Sequence, residues 1–169
     1  ADKTVEQRRA GLRGLAGPGR RRLLARGDQT LWIDQFGQAG HRYPPDRDVA
    51  SLWCQHLALV VEDIASAHAR LRDITPISQE GPQQLPRSSG GVQAFKCRDP
   101  DGHPLELLQF PYGKMPGAWP DRRSLDGQIG LGIDHSAISV ADVEASAVFY
   151  QALGLGTGER TLNEGPAQQ

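Results

Sequence analysis

Two histidines that recur at one position of a repeated segment are the residues of this chain best placed to do chemistry. Residues 53–63 read Trp-Cys-Gln-His-Leu-Ala-Leu-Val-Val-Glu-Asp, and residues 132–142 read Gly-Ile-Asp-His-Ser-Ala-Ile-Ser-Val-Ala-Asp. His56 therefore aligns with His135, and Asp63 with Asp142. A neutral imidazole can ligate a divalent metal or relay a proton. One histidine at a strand start is ordinarily a packing or hydrogen-bonding residue; two at the same repeat position are metal-ligand candidates if a carboxylate is placed beside them. The other histidines invite simpler readings. His103 lies between Gly102 and Pro104 in a turn, His68 falls on a helix as a packing or surface residue, and His41 sits in a linker. Cys54 and Cys97 lie inside apparent strands without C-x-x-C spacing, which reads as small buried hydrophobes and not as a metal or redox pair. The sequence contains no glycine-rich phosphate loop, nucleophile elbow or zinc-finger spacing.

The elements that must carry the histidines can be read from periodicity. Leu57–Val61 is a short run rich in branched residues and closed by an acidic pair, the pattern of a strand. Asp63 is suited to cap a following helix, on which Ile64, Ala67, His68 and Leu71 recur at helical spacing. In the second copy Val143, Ala147, Tyr150 and Leu153 do the same, with Gly154 as the stop and Tyr150, beside Phe149, read as core. Between the copies the sequence predicts a strand at Gln55–Val61, a helix over about Ile64–Arg72 and a short extended segment around Pro76–Gln79. A loop through Pro82–Gly91, a strand at Gly91–Arg98 and a last strand at Pro104–Phe110 complete the order β-α-β-β-β. Asp99-Pro100-Asp101-Gly102 joins the last two strands, with proline setting φ and glycine taking positive φ.

A second repeat relates other parts of the chain. Residues 27–37 contain Gly-Asp-Gln-Thr-Leu-Trp-Ile-Asp-Gln-Phe-Gly and residues 102–110 contain Gly-His-Pro-Leu-Glu-Leu-Leu-Gln-Phe. Each is a tight turn and a strand ending in Gln-Phe, followed by a linker rich in proline and glycine. The expected organisation is the end of one module plus a linker over 1–46, a complete module over 50–112, a linker over 113–129, and the start of a further module over 130–169. That last segment could complete residues 8–38 as a permuted domain, within the chain or across a dimer, or the chain could be a segment of a longer protein with more modules.

These motifs resemble the βαβββ module of the vicinal-oxygen-chelate superfamily, which includes glyoxalases, bleomycin-resistance proteins and extradiol dioxygenases. The residues that carry the likeness are His-Leu-Ala-Leu-Val-Val-Glu-Asp at 56–63, Arg-Asp-Pro-Asp-Gly-His-Pro-Leu-Glu-Leu at 98–107 and His-Ser-Ala-Ile-Ser-Val-Ala-Asp at 135–142. Phe149-Tyr150 with Leu153-Gly154-Leu155 adds a similar helix ending, and the likeness spans most of residues 27–162. It implies an α+β fold in which paired modules form an incomplete β-barrel around a divalent metal, with ligands from the first and last strand of each module. Carried over by position, the ligands are His56 and His135 from first strands and Glu106 from a last strand. The fourth position falls at Trp32, which cannot bind a metal; Asp34, two residues on and on the same strand face, is a surrogate to test.

Two imidazoles and one carboxylate suit Fe2+, Mn2+, Zn2+ or Ni2+ and leave coordination positions open. The resemblance therefore implies a metal-dependent enzyme for a small oxygenated substrate, with extradiol ring cleavage first, because three ligands are visible, and isomerase or lyase chemistry second. The alternative within the same superfamily is a non-catalytic small-molecule binding protein of the bleomycin-resistance type. The expected partners are a small-molecule substrate and a second copy or further modules. Net charge of -1 and a pI near 6.6 give no global bias toward nucleic acid or an anionic membrane. The arginines crowding residues 8–26 read as a solvated basic surface. No stretch has the ~18 apolar residues of a membrane span, nor an apolar signal core, so the expected location is cytoplasmic.

Overall fold

Strands place successive side chains on opposite faces, and that alternation organises each part of this chain. The computed structural model describes residues 19–71, 74–114 and 129–158, and the chain divides into two compact units, Ala1–Arg42 and Tyr43–Gln169. In the first unit, β1 (Gly19–Arg26) and β2 (Gln29–Phe36) form an antiparallel hairpin around Gly27 and Asp28, with Gly27 at φ 57. Arg21 forms an ion pair with Asp34 through two guanidinium nitrogens, and its guanidinium stands 4.9 Å above the Trp32 ring. Arg8, Arg9 and Arg13 lie outside the described residues.

Among its described residues the second unit holds a six-stranded sheet and two helices. Its elements are β3 (Gln55–Val61), α1 (Ile64–Arg70), β4 (Thr75–Pro76), β5 (Gln83–Gln84), a 3-10 turn at Arg87–Ser89, β6 (Gln93–Arg98), β7 (Pro104–Gln109), β8 (Gly130–Ile138) and α2 (Val143–Ala152). The strand order is β4-β6-β7-β3-β8, and β5 shares the outer edge of β6 with β4. β7 runs parallel to β3, while β6–β7 and β3–β8 are antiparallel. The fold is α+β, and among the described residues the sheet is open, ending at β8 on one side. The linker expected over 113–129 falls almost wholly outside the described residues.

One face of the sheet is covered by α1. Val61, Ile64, Ala67, Phe95, Cys97 and Leu107 form a buried cluster there. The helix begins where the sequence places it: the Asp63 carboxylate accepts from the amides of Ala65 and Ser66, and the Gln109 side chain on β7 accepts from Ile64 N at 2.7 Å. His68 packs edge-on against Phe95, with ring centroids 4.6 Å apart. The opposite face carries a second cluster of Ala58, Val92, Ala94 and Leu108, and a third of Val60 and Leu131. Between β6 and β7 the Asp99 carboxylate accepts from the amides of Asp101 and His103, and Gly102 takes φ 91 beneath the Arg47 guanidinium. His103 is the turn residue expected, its Nδ1 at 2.9 Å from the Tyr43 hydroxyl.

Two expectations change. Cys54 lies just before β3 and is half-buried, so only Cys97 is the buried strand cysteine that its pattern suggested. The second helix also differs from the first. Asp142 caps α2 through Ala145 N, as the repeat requires, yet no residue of α2 is buried, and Phe149, Tyr150 and Leu153 are exposed. The reason is topological: α1 lies over β6 and β7, whereas among the described residues β8 has β3 alone beside it.

Phe95 is 1% exposed beneath α1, so Phe95→Ala should cost about 3–5 kcal/mol in urea unfolding. Leu52→Ala, at a position 64% exposed, should stay within about 0.5 kcal/mol.

Candidate metal centre

The face of the sheet away from α1 gathers the polar residues. Ala58 on β3 is paired with Glu106 on β7 on one side and with His135 on β8 on the other, and Glu106 is paired in turn with Lys96 on β6. One cross-strand row thus reads Lys96, Glu106, Ala58, His135. Neighbouring strands lie about 4.8 Å apart, so Glu106 and His135 start roughly 9.6 Å apart and must reach toward each other over Ala58. The methyl group of Ala58, fully buried, leaves them room to do so. His56 stands two residues before Ala58, on the same face, and completes the group.

The three side chains named by the repeat and the resemblance converge. His56 Nε2 lies 3.2 Å from Glu106 Oε2 and 3.3 Å from His135 Nε2, and His135 Nε2 lies 3.8 Å from the same Glu106 oxygen. Lys96 Nζ approaches the other carboxylate oxygen, Oε1, at 3.9 Å. Side-chain exposure rises from 11% for Glu106 through 20% for His56 to 42% for His135, so the group opens to solvent on the His135 side. Among the described residues these three form the set of His, Cys, Asp and Glu side chains positioned to hold one metal ion.

Burial would push the Glu106 carboxyl up, but the hydrogen bond from His56, the charge of Lys96 and the neighbouring imidazoles outweigh it, and its pKa lies below the ordinary glutamate value. The carboxylate is therefore ionised at neutral pH, and its negative charge is available to a cation. Asp34, the surrogate fourth ligand considered above, is engaged by Arg21 in the hairpin, and Trp32 beside it carries the same guanidinium on its ring. Tyr150 is stacked edge-on with Phe149 on α2.

Three contributors escaped the sequence reading. Ala58 matters for its smallness, which only the cross-strand pairing reveals. Lys96 shows its role through its register opposite Glu106; its place on an alternating strand was the one available signal. Asp134, whose Oδ2 accepts from His135 Nδ1 at 2.7 Å, precedes the histidine directly and would face away from it in a regular strand. Comparison of the chain with protein-family models, with curated proteins and with solved structures found no match.

On the other face, burial and then the charge of Asp99 push the Cys97 thiol up to about 11. Cys97 should thus resist a thiol reagent such as DTNB in the native chain and react only on unfolding, a protection to be read from labelling rates with and without urea.

Proposed function

We propose that the chain is a divalent-metal-dependent enzyme of the vicinal-oxygen-chelate type that acts on a small oxygenated substrate. The triangle of His56 Nε2, His135 Nε2 and Glu106 Oε2, with sides of 3.2, 3.3 and 3.8 Å, carries this reading. Metal–ligand bonds of about 2.1 Å place neighbouring ligand atoms roughly 3.0–3.4 Å apart in octahedral or tetrahedral sites. The donor set suits Fe2+, Mn2+, Zn2+ or Ni2+, and three protein ligands on one side leave the other positions open. Bound there, such an ion would act as a Lewis acid toward adjacent substrate oxygens or, if iron, as a centre for O2 chemistry.

The chain's own groups have separable tasks. Glu106 contributes the anionic ligand, and Lys96 holds its second oxygen so that Oε2 faces the imidazoles. His56 and His135 fix the other two corners, and the exposure of His135 sets the side from which a substrate enters. Three ligands favour extradiol ring cleavage, with isomerase or lyase chemistry next. The open edge of β8 and the exposed apolar residues of α2 support the paired-module arrangement, with a second copy of the chain as the partner.

A second reading, a metal-free binding protein of the bleomycin-resistance type, also has an observation in its favour. His56 donates to Glu106 without any ion, so the triangle satisfies its own polar atoms.

Chain purified without chelators should carry, or take up on reconstitution, close to one equivalent of metal by elemental analysis. At a hundred times Kd the ion should add about 2.7 kcal/mol of stability to the wild type, and His56→Ala, Glu106→Ala and His135→Ala should abolish that gain. Ala58→Leu keeps every ligand but should lower metal uptake, at an overpacking cost of about 1–3 kcal/mol. Uptake below about a tenth of an equivalent, with no gain on reconstitution, would favour the metal-free reading. For the partner, sedimentation should give a concentration-dependent dimer mass that Phe149→Asp and Leu153→Asp reduce to monomer; a wild type that stays monomeric at all concentrations would refute it.

A further inference from the structure

We infer that Asp134 is the positioning residue of this centre: it holds His135 by Nδ1 so that Nε2 is presented to Glu106 and His56. The inference rests on the metal-site reading for its purpose, but its geometry stands separately. Pairing between β3 and β8 runs Ala58 with His135 and then Leu59 with Ile133, so Asp134 is an extra residue in β8 with no partner on β3. Such a β-bulge bends the strand and re-aims side chains. In regular alternation the carboxylate of Asp134 would lie on the face opposite His135. At the bulge it instead accepts from His135 Nδ1 at 2.7 Å.

The protonation pattern follows from the partners. An ionised carboxylate can only accept, so the bond to Asp134 puts the His135 proton on Nδ1 and leaves the lone pair on Nε2. That atom is the one 3.3 Å from His56 Nε2 and 3.8 Å from Glu106 Oε2. A ligating histidine needs this kind of support at its outer nitrogen, both to fix the tautomer and to hold the ring. His135 needs it most, because it is the most exposed of the three and sits on the sheet's edge strand.

The repeat supplies an internal control. The position equivalent to Asp134 in the first copy is Gln55, which is paired regularly with Ile138 and exposed. The same repeat position therefore carries a bulge and a carboxylate before one histidine, and neither before the other.

The test uses the whole chain with 15N-labelled histidine. In the metal-free wild type, His135 should give the NMR signature of the Nδ1–H tautomer. Asp134→Ala should lose that signature, and Asp134→Asn, which keeps an acceptor oxygen, should largely retain it. In competition titrations with Zn2+, Asp134→Ala should bind about 10–100-fold more weakly than wild type, Asp134→Asn should fall between them, and Gln55→Ala should match wild type. Metal-free melting temperatures of all four chains should agree, separating positioning from a merely structural role. An unchanged tautomer in Asp134→Ala, or a changed tautomer with unchanged Zn2+ affinity, would overturn the inference. A wild type that takes up no Zn2+ would count against the metal reading, and the tautomer readout would then judge Asp134 by itself.

Discussion

The register of β8 along β3 sets the relation among all the polar groups on the open face. Ala58 sits between Glu106 and His135 because β7 is parallel to β3 and β8 antiparallel to it, each in one alignment. A slip of β8 by one residue would carry His135 to the opposite face of the sheet. The alignment has a further property. Leu57 is paired with Ser136, its own counterpart in the repeat, so the two first strands are related by a local two-fold axis through that pair. His56 and His135 then fall diagonally on either side of the axis, close enough for their Nε2 atoms to lie 3.3 Å apart. The repeat thus generates the site through symmetry of pairing; the two histidines meet because equivalent strands lie antiparallel.

The two faces of the sheet hold this arrangement by different means. Beneath α1 the contacts are apolar and nearly dry, with Phe95, Cys97 and Ile64 each at most 1% exposed. Burying such surface is worth roughly 25 cal/mol per Å2, and this face anchors β3, β6 and β7 against one another. On the other face Glu106 is 8% exposed and ionised, which is costly unless the charge is paired and hydrogen-bonded. His56, His135 and Lys96 provide that pairing. Removing any one of them leaves the carboxylate less compensated, so the site residues are also tied to the stability of the strands that carry them.

Much of this was legible in the sequence, and the parts that were share a cause. The bounds of β3, the cap at Asp63 and the turn at 99–102 follow from local patterns, His56 and His135 from the repeat, and Glu106 from the family resemblance. What the sequence withheld depends on pairing between distant strands. The smallness of Ala58 has no meaning until Glu106 and His135 are placed beside it. Asp134 reads as an outward residue by alternation, and only the extra residue in β8 turns it onto His135. The apolar spacing of Val143, Ala147, Tyr150 and Leu153 was correctly read as helical, but burial depends on what lies against a helix, and periodicity carries no information about that. Asp34 was an acceptable ligand by type and face; its ion pair with Arg21, thirteen residues earlier on the paired strand, was visible only once the hairpin register was known.

The hydrogen-bond order at the centre also fixes what a cation must displace. With the tautomer inferred for His135, Asp134 accepts a hydrogen bond from Nδ1–H and His135 Nε2 is an acceptor, and Glu106 Oε2 is an acceptor as an ionised carboxylate. His56 Nε2 then carries the one hydrogen, donated to Glu106 Oε2 at 3.2 Å, with His135 Nε2 3.3 Å away. Two of the three corners already present lone pairs inward, and the third presents a hydrogen. Metal binding at such a site would need His56 to move that proton from Nε2 to Nδ1, a change of tautomer with no net proton released, with the three heavy atoms already near the spacing that bonds of about 2.1 Å require. The chain thus bears most of the cost of ordering the ligands when it folds, through the β3–β8 register and the bulge at Asp134, and the change of tautomer at His56 is the step left to binding.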